Sequence, residues 1–431
     1  MRIVPQYWDK EFECMSLDQR DETITLTMHK YLRYAYQNSV FYRNAFDRAG
    51  FRPEEIVDLD RFKARVPFLT HRDVIKNQRT NPPYGGFLAV NQKDIVRIYC
   101  APGPLVIPFA LSDMEEFINS TAQGLHICGA RSGDICDVTS AYQWQLAGTI
   151  IDDGFRRIGC AVVPGGAGMA RTHITIMKHL GATVFYAFPS FAMKLVQTAG
   201  EMGIHPATDM NVRLIVLATG AYSDAQRLTL EEFFNAEVRS MYGGAETGFV
   251  ASECSERCGV HCFSKSIVEV VDPDTGRQVP DGTPGEIVLT DLSRRALPMI
   301  RYRTGDLTEG LEHDTCSCGR TSPRLGRLIG RTEDIPRVKG TLVLPDSIAE
   351  VLATDESFGR FQIILDRVGF ADRLTVRVES RRSRISGVAK RSLLEDIRAA
   401  IFFKPEIEIV PMGAIESCAP ILVDERPTLR E

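Results

Sequence analysis

The sequence predicts an α/β protein in two parts: a large N-terminal domain built on a covered, mostly parallel sheet, and a small α+β domain at the C-terminus. Three observations predict this. Between about residues 134 and 220, short apolar runs ending in small residues (DICDVTS, CAVVPGG, ATVFYAFPS, VRLIVLATG) alternate with helical stretches (THITIMKHLG, PSFAMKLVQTAGEMG), the pattern of parallel strands joined by helices. After residue 264 the rhythm changes to strands. With 431 residues the chain also exceeds what one compact core holds, so more than one domain is expected.

In chain order, the first part reads as helices. LTMHKYLRYAYQNSVFYRNAFDRAG (26–50) has apolar residues at helical spacing and stops at Gly50, and PEEIVDLDRFKARVP closes at Pro67. The strand–helix alternation follows, and in such sheets ligands gather beyond the carboxyl ends of the strands. SKSIVEVVDPDTGRQVPDGTPGEIVLTDL is two alternating segments around a turn-rich piece. After GRTEDIPRVKG come a hairpin (FQIILDRVGFADRLTVRVES), an amphipathic helix (AKRSLLEDIRAAI) and a strand (EIEIVP). These form a unit of about 100 residues, an ordinary domain size. The expected domains are 1–332 and 333–431.

Composition narrows the function classes. The chain is 44% hydrophobic and 25% charged with a net charge of −5, as in ordinary globular domains. No Lys/Arg run reads as a nucleic-acid patch. No stretch of about 18 apolar residues would span a membrane, and MRIVPQYWDKEFECM lacks the apolar segment of a secretion signal. An odd count of 11 cysteines in a long chain argues against a disulfide scaffold and for a reducing, cytoplasmic setting.

Three motifs carry chemistry. In SMYGGAETG (240–248), Gly243 and Gly244 let a ligand approach the backbone, Tyr242 offers a flat face to a base, and Glu246 can hold Mg²⁺. In MIRYRTGDL (299–307), Asp306 at a strand end can accept both hydroxyls of a ribose. In LIGRTEDIPRVKG (328–340), the forked Arg331 suits phosphate and Glu333 stands where a hinge would turn. Each alone also reads as a structural turn or a charged linker, and for the glycine turn the structural reading is the more frequent one. A fourth feature is a cysteine cluster: ECSERCGVHCF (253–263) and CSCGR (316–320) supply Cys254, Cys258, His261, Cys262, Cys316 and Cys318, enough for a closed tetrahedral zinc site.

In order and spacing the three motifs resemble the adenylate-forming (ANL) superfamily and, more closely, its phenylacetate–CoA ligase family. The resemblance runs nearly end to end, through YWDKEFE, YAYQNSVFYRNAF, PFLTHRDVI, YQWQLAG, TVFYAFPSFAMKL, ASEC, ALPMIRYRTGDLT and CSCGRTSPRLGRLIGRTEDI. It implies a large adenylate-forming domain (helical start, parallel-sheet core, small β-barrel-like part) and a small mobile C-terminal lid. It also implies a two-step reaction: a carboxylic acid, in this family most often aromatic, attacks the α-phosphate of ATP, and CoA then displaces AMP. Carried over by position, Tyr242 and Gly243 frame the adenine, Glu246 binds Mg²⁺, Asp306 holds the ribose, Arg331 faces phosphate or ribose, and Glu333 is the pivot. Tyr142, Gly220 and Gly244 line the acyl pocket, and Gly340 lets the CoA pantetheine pass. Relatives also look alike at Cys254, His261, Cys316 and Cys318, which implies a structural zinc on these four. Cys258 or Cys262 as a substitute ligand, free thiols, and a catalytic thiol are the alternatives. The partner is a small carboxylic acid or its activated form, and a homodimer is compatible with the resemblance.

Two departures stand out. Where the family has a Ser-Ser-Gly-Thr-Thr-Gly-Lys-Pro phosphate loop between an Arg-Ile and an Asp, this chain keeps Arg97-Ile98 and Asp113 but reads YCAPGPLVIPFALS between them. The hydroxyls and the lysine are gone, and Pro102 and Pro104 donate no N–H. Near the C-terminus the family has Ser-Glu-Gly-Lys-Ala, whereas MGAIESCAPILVDERP places Cys418 at the lysine, and no lysine follows Lys404. That lysine offsets charge developing at the carboxylate–phosphate bond. Ala245, where a hydroxyl residue usually precedes the glutamate, is a smaller change. These residues predict impaired or altered adenylation. The alternatives are ATP-independent transfer or condensation of a preformed acyl-CoA or acyl-adenylate, with Cys418 or His261 as groups to test, and a non-catalytic partner subunit.

Overall fold

The computed structural model describes residues 6–425 apart from 102–104, 219, 221, 264, 333–336, 339–340, 344, 369–370, 383–385 and 402–404. The chain divides into two compact units, Met1–Leu328 and Ile329–Glu431.

Alternating apolar runs and helices in the first unit build a nine-stranded sheet. Its parallel half comprises Ala161–Val163, Ile135–Val138, Val184–Ala187, Leu214–Leu217 and Glu237–Gly244, in that spatial order. Val184–Ala187 and Leu214–Leu217 are buried throughout, as strands covered on both faces require. Helices such as Leu111–Cys128 and Leu146–Ile158 supply one layer, and a second apolar cluster, including Phe185, Leu217 and Phe234, lies beneath Ala170–Leu180 and Pro189–Glu201. The sheet continues antiparallel through Gly248–Glu253, Val260–Cys262 and Arg324–Leu325. A second sheet runs Leu69–Thr70, Met299–Thr308, Gly285–Asp291, Ser266–Val271. The doubly wound core and the separate smaller unit match the fold read from the sequence.

The N-terminal helical segment differs in one detail. The run at 26–50 is two helices, Leu17–Asn38 and Val40–Arg48, because Ser39 takes an extended backbone and its hydroxyl accepts the N–H of Tyr42, capping the second helix.

The second unit is a four-stranded sheet ordered Glu406–Pro411, Ala371–Ser380, Phe358–Val368, Leu422–Asp424. Its core includes Ile363, Leu365, Val376 and Val378, covered by Pro345–Ala353 and Gly387–Ile401. No helix among the described residues is long and apolar enough to cross a membrane.

A candidate adenylate site and a cysteine–histidine cluster

The glycine turn and the TGD strand meet in the first unit. Strand Glu237–Gly244 turns through Ala245–Thr247 into its antiparallel neighbour, with Gly244 opposite Gly248. A Cβ at Gly243 would stand 2.2 Å from the Gly248 carbonyl oxygen, so only glycine allows this approach. The buried Tyr242 donates its hydroxyl to Asp306 Oδ2 at 3.0 Å, joining a ring face to a carboxylate across 64 residues of sequence. Asp306 is set by its own strand: its N–H donates to Thr304 Oγ1 at 3.0 Å, and Thr304 in turn donates to the Ile287 carbonyl.

Glu246 projects from the same turn with 16% of its side chain exposed. The Tyr302 hydroxyl donates to its Oε1 at 3.2 Å, and His71 Nδ1 lies 3.3 Å from that oxygen. Burial pushes this carboxyl up, but the bonds from His71, its own backbone and Tyr302 outweigh burial and hold it below the usual glutamate range. An ionised, partly exposed carboxylate at a turn is a suitable Mg²⁺ ligand. His71 and Tyr302 were not singled out in the sequence, although both lie in quoted segments (PFLTHRDVI, MIRYRTGDL); spacing gives no sign that they converge on Glu246.

The YCAPGPLVIPFALS stretch falls in a pair of antiparallel strands. Ile95–Ala101 pairs with Leu105–Ala110, and Ala101 lies opposite Leu105. Leu105, Ile107 and Phe109 are fully buried. Gln78 clamps the hairpin, donating to the Val106 carbonyl at 2.8 Å and accepting its N–H at 2.9 Å. Only residues 102–104 connect the strands; Pro102 and Pro104 lie outside the described residues, and of the three only Gly103 carries an N–H. Asp113 is buried and accepts the N–H groups of Ala110, Arg295 and Ala296 at 3.0, 2.6 and 2.9 Å, tying the hairpin to the loop before the TGD strand. Behind them the buried Arg294 is held between Phe109 and Phe117, its guanidinium 4.6 and 4.8 Å from the ring centres.

Of the other candidates, Tyr142 is half-buried and donates to Asp152 Oδ2 at 3.1 Å; burial and that neighbour raise the phenol's pKa. Gly220 stands over Pro189, where a Cβ would meet the proline ring at 3.3 Å. Arg331 ends the strand Leu328–Arg331 and is exposed. Cys418 is exposed, and its thiol donates to Glu416 at 3.9 Å. Glu333 and Gly340 lie outside the described residues.

The cysteine cluster converges. Ligand atoms of Cys254, His261, Cys316 and Cys318 lie within 4.8 Å of one another, and all four residues are buried. Zinc–sulfur and zinc–nitrogen bonds of about 2.3 and 2.0 Å place tetrahedral ligands about 3.5–3.8 Å apart. Cys254 Sγ lies 3.9 Å from Cys316 Sγ, and Cys318 Sγ lies 3.5 Å from His261 Nε2. The donor set therefore fits a closed metal site. Outer contacts agree: Ser322 Oγ is 3.3 Å from His261 Nδ1, leaving Nε2 to face the thiols, and the Cys318 N–H donates to Cys316 Sγ at 3.5 Å. The buried Arg320 donates to Cys318 Sγ at 3.6 Å and to Glu13 at 2.7 Å, anchoring the N-terminal segment. Cys262 is buried in a neighbouring apolar cluster, whereas Cys258 is exposed with its sulfur 3.2 Å from Cys316 and takes a bond from Arg324 at 2.9 Å.

The strand expected to end at Thr-Gly-Asp runs on to Thr308, with Gly305 at φ 76°, so Asp306 sits at an irregularity within the strand and not at its end. A doubly wound sheet, a glycine turn bearing a glutamate, and a tyrosine joined to this aspartate define an enzyme of the adenylate-forming class. Residues 156–292 match the AMP-binding enzyme family, and residues 340–420 match the AMP-binding enzyme C-terminal domain. The chain is 31% identical over 361 residues to a phenylacetate-coenzyme A ligase of Thermus thermophilus, covering 82% of this chain and 79% of that protein. It is 32% identical over 359 residues to the Pseudomonas putida phenylacetate-coenzyme A ligase, covering 81% and 79%. It superimposes on the crystal structure of 2-hydroxyisobutyryl-CoA ligase in an open conformation with 2-HIB-AMP and CoA at a TM-score of 0.83, with 26% identity, covering 98% of this chain and 96% of that one. The chain belongs to the phenylacetate–CoA ligase family.

Proposed function

We propose that this protein is an acid–CoA ligase-type enzyme whose nucleoside site is built but whose step from ATP to acyl-adenylate is impaired. It then works best on the AMP-bearing state, taking a carboxylic acid of aromatic type, or its activated form, and CoA. The single observation that carries this is the pairing of Ile95–Ala101 with Leu105–Ala110, in the stretch that corresponds by position to the family's phosphate loop. Paired strand amides and two prolines leave little N–H to offer β- and γ-phosphates. In contrast, Tyr242–Asp306 and Glu246 are arranged as nucleoside and Mg²⁺ sites would be.

In this reading Tyr242 covers the adenine, Asp306 accepts the ribose hydroxyls, and Arg331 meets phosphate or ribose. Glu246, steered by Tyr302 and His71, holds Mg²⁺, which would supply charge at the α-phosphate. Tyr142, Gly220 and Gly244 line the acyl pocket. Glu333 and Gly340 keep their roles as pivot and pantetheine passage. Cys418 at the lysine position removes a cation that, by analogy with single charge-stabilising donors, is worth roughly 10²–10³ in rate. Zinc on Cys254, His261, Cys316 and Cys318 is structural, pinning the CSC loop to the strand that leaves the glycine turn.

Calorimetric titration tests the reading. The expected result is that AMP binds and MgATP binds more weakly, with little pyrophosphate released from ATP and phenylacetate. MgATP binding at least as tightly as AMP, with acid-dependent pyrophosphate release, overturns it in favour of an ordinary ligase. A second reading, acyl transfer from a preformed acyl-adenylate without ATP, is favoured by the same hairpin and predicts thioester formation from acyl-adenylate and CoA alone.

A further inference from the structure

A buried ion pair absent from every motif stands beside the candidate acyl pocket. Asp137 lies on the parallel strand Ile135–Val138 and His173 on the helix Ala170–Leu180; both side chains are almost wholly buried, at 1% and 3% exposure. His173 Nδ1 lies 2.6 Å from Asp137 Oδ2, and Nε2 lies 3.0 Å from the Gly166 carbonyl oxygen. Both partners are acceptors. A neutral imidazole has one N–H, so with Asp137 as a carboxylate the imidazolium is the form that satisfies both contacts. Burial disfavours that charge, but the hydrogen bond and charge of Asp137 outweigh it, raising the imidazole above its usual value.

The pair supports the loop at the strand ends. A Cβ at Gly165 would fall 2.3 Å from His173 Cε1 and 2.7 Å from Asp137 Oδ1, so the loop lies directly on the pair. The Gly166 N–H donates to the Val138 carbonyl at 2.9 Å. Beyond Gly166 comes the Tyr142 ring, 4.0 Å from a Cβ built there. On its other side His173 meets the edge of Phe191, ring centres 5.6 Å apart, on the helix whose first residue, Pro189, lies under Gly220. His173 thus stands between the supports of two candidate acyl-pocket residues.

We infer that His173, paired with Asp137, is a positioning residue that holds the Gly165–Gly166 loop against Tyr142 and so sets how tightly the acyl part of an activated acid is bound, separately from its nucleotide part. The inference rests on the adenylate-site reading above. Fixing a pocket wall in advance lowers the ordering cost of binding, which appears as affinity for whatever touches that wall. Asp137 Oδ1 is buried without a hydrogen-bond partner, so the imidazolium is the principal balance for its charge.

The test titrates AMP and a non-hydrolysable phenylacetyl-adenylate mimic (the acyl sulfamoyl adenosine) into wild type, His173→Gln, Asp137→Asn and the double variant. The expected result is about a tenfold loss for the mimic in each single variant, less than about a twofold change for AMP, and no further loss in the double variant. Side-chain ¹⁵N NMR of the wild type, which needs no variant to fold, is expected to show His173 protonated on both nitrogens at neutral pH. Equal losses for AMP and mimic, no loss for either, or a singly protonated His173 overturns the inference. A wild type that binds AMP but gains nothing from the acyl group overturns it while leaving the adenylate reading intact; a wild type that binds neither overturns both.

Discussion

Chelation tests whether a metal closes the cysteine–histidine cluster. Cys254 and Cys316 are 62 positions apart in sequence, and their sulfurs lie 3.9 Å apart. If a zinc ion closes that loop, it adds its binding free energy to folding, and a cross-link of the same loop length, about 4 kcal/mol on the chain-entropy relation, serves as the scale. Such an ion would also offset the cost of burying thiolates and His261 together. A stability change of 1 kcal/mol moves the midpoint of a domain of 150–250 residues by roughly 2–4 °C. The first unit is longer, so the expected drop is at most about 8 °C at the low end of that scale. The assay is metal analysis of untagged protein, followed by thermal unfolding before and after a strong chelator, with Cys318→Ser against Cys418→Ser as the control at an exposed thiol. The expected result is one equivalent of zinc, a chelator-sensitive midpoint, and destabilisation in Cys318→Ser only. Less than about half an equivalent, or a midpoint unmoved by chelator, refutes a closed structural site.

Three further outcomes are expected. Tyr242→Phe removes the donor to Asp306 Oδ2 and should weaken AMP binding by about 1 kcal/mol, roughly fivefold, in a titration, with little change in the unfolding midpoint. Arg301 donates to both oxygens of the buried Glu269 at 3.0 and 2.9 Å. Arg301→Leu should therefore cost about 3–5 kcal/mol in denaturant unfolding by stranding that charge, and the further change Glu269→Gln should recover part of it. The His173 imidazole has a raised folded-state pKa, so its contribution to stability is complete below the usual histidine value and is lost as pH rises through the folded value. Stability measured from pH 6 upward should fall more steeply in the wild type than in His173→Gln.

Much of the candidate site was legible as local motifs. A turn that needs glycine, such as Gly243 against the Gly248 carbonyl, and an apolar strand carrying Thr-Gly-Asp are visible in a few residues, although the strand runs past Asp306 to Thr308. The alternation of buried strands with helices was readable for the same reason: burial on both faces leaves an unbroken apolar run. The break at Ser39 was less legible, because a capping serine inside a continuous apolar period changes the backbone without changing the pattern.

By itself, then, the sequence determined the α/β class, the Tyr242, Glu246 and Asp306 motifs, the set of cysteines and histidine that could meet at a metal, and the proline-bearing YCAPGPLVIPFALS stretch between Ile98 and Asp113. Tertiary structure decided which of these groups meet. It brought Cys254 and His261 to Cys316 and Cys318 while leaving Cys262 in an apolar cluster, turned His71 and Tyr302 onto Glu246, and closed Asp137, His173 and Gly166 into one buried contact. The reason is physical: these pairings join residues tens to hundreds of positions apart, and their partners are fixed by sheet order and by the need to satisfy buried polar groups, neither of which leaves a periodic trace in the chain.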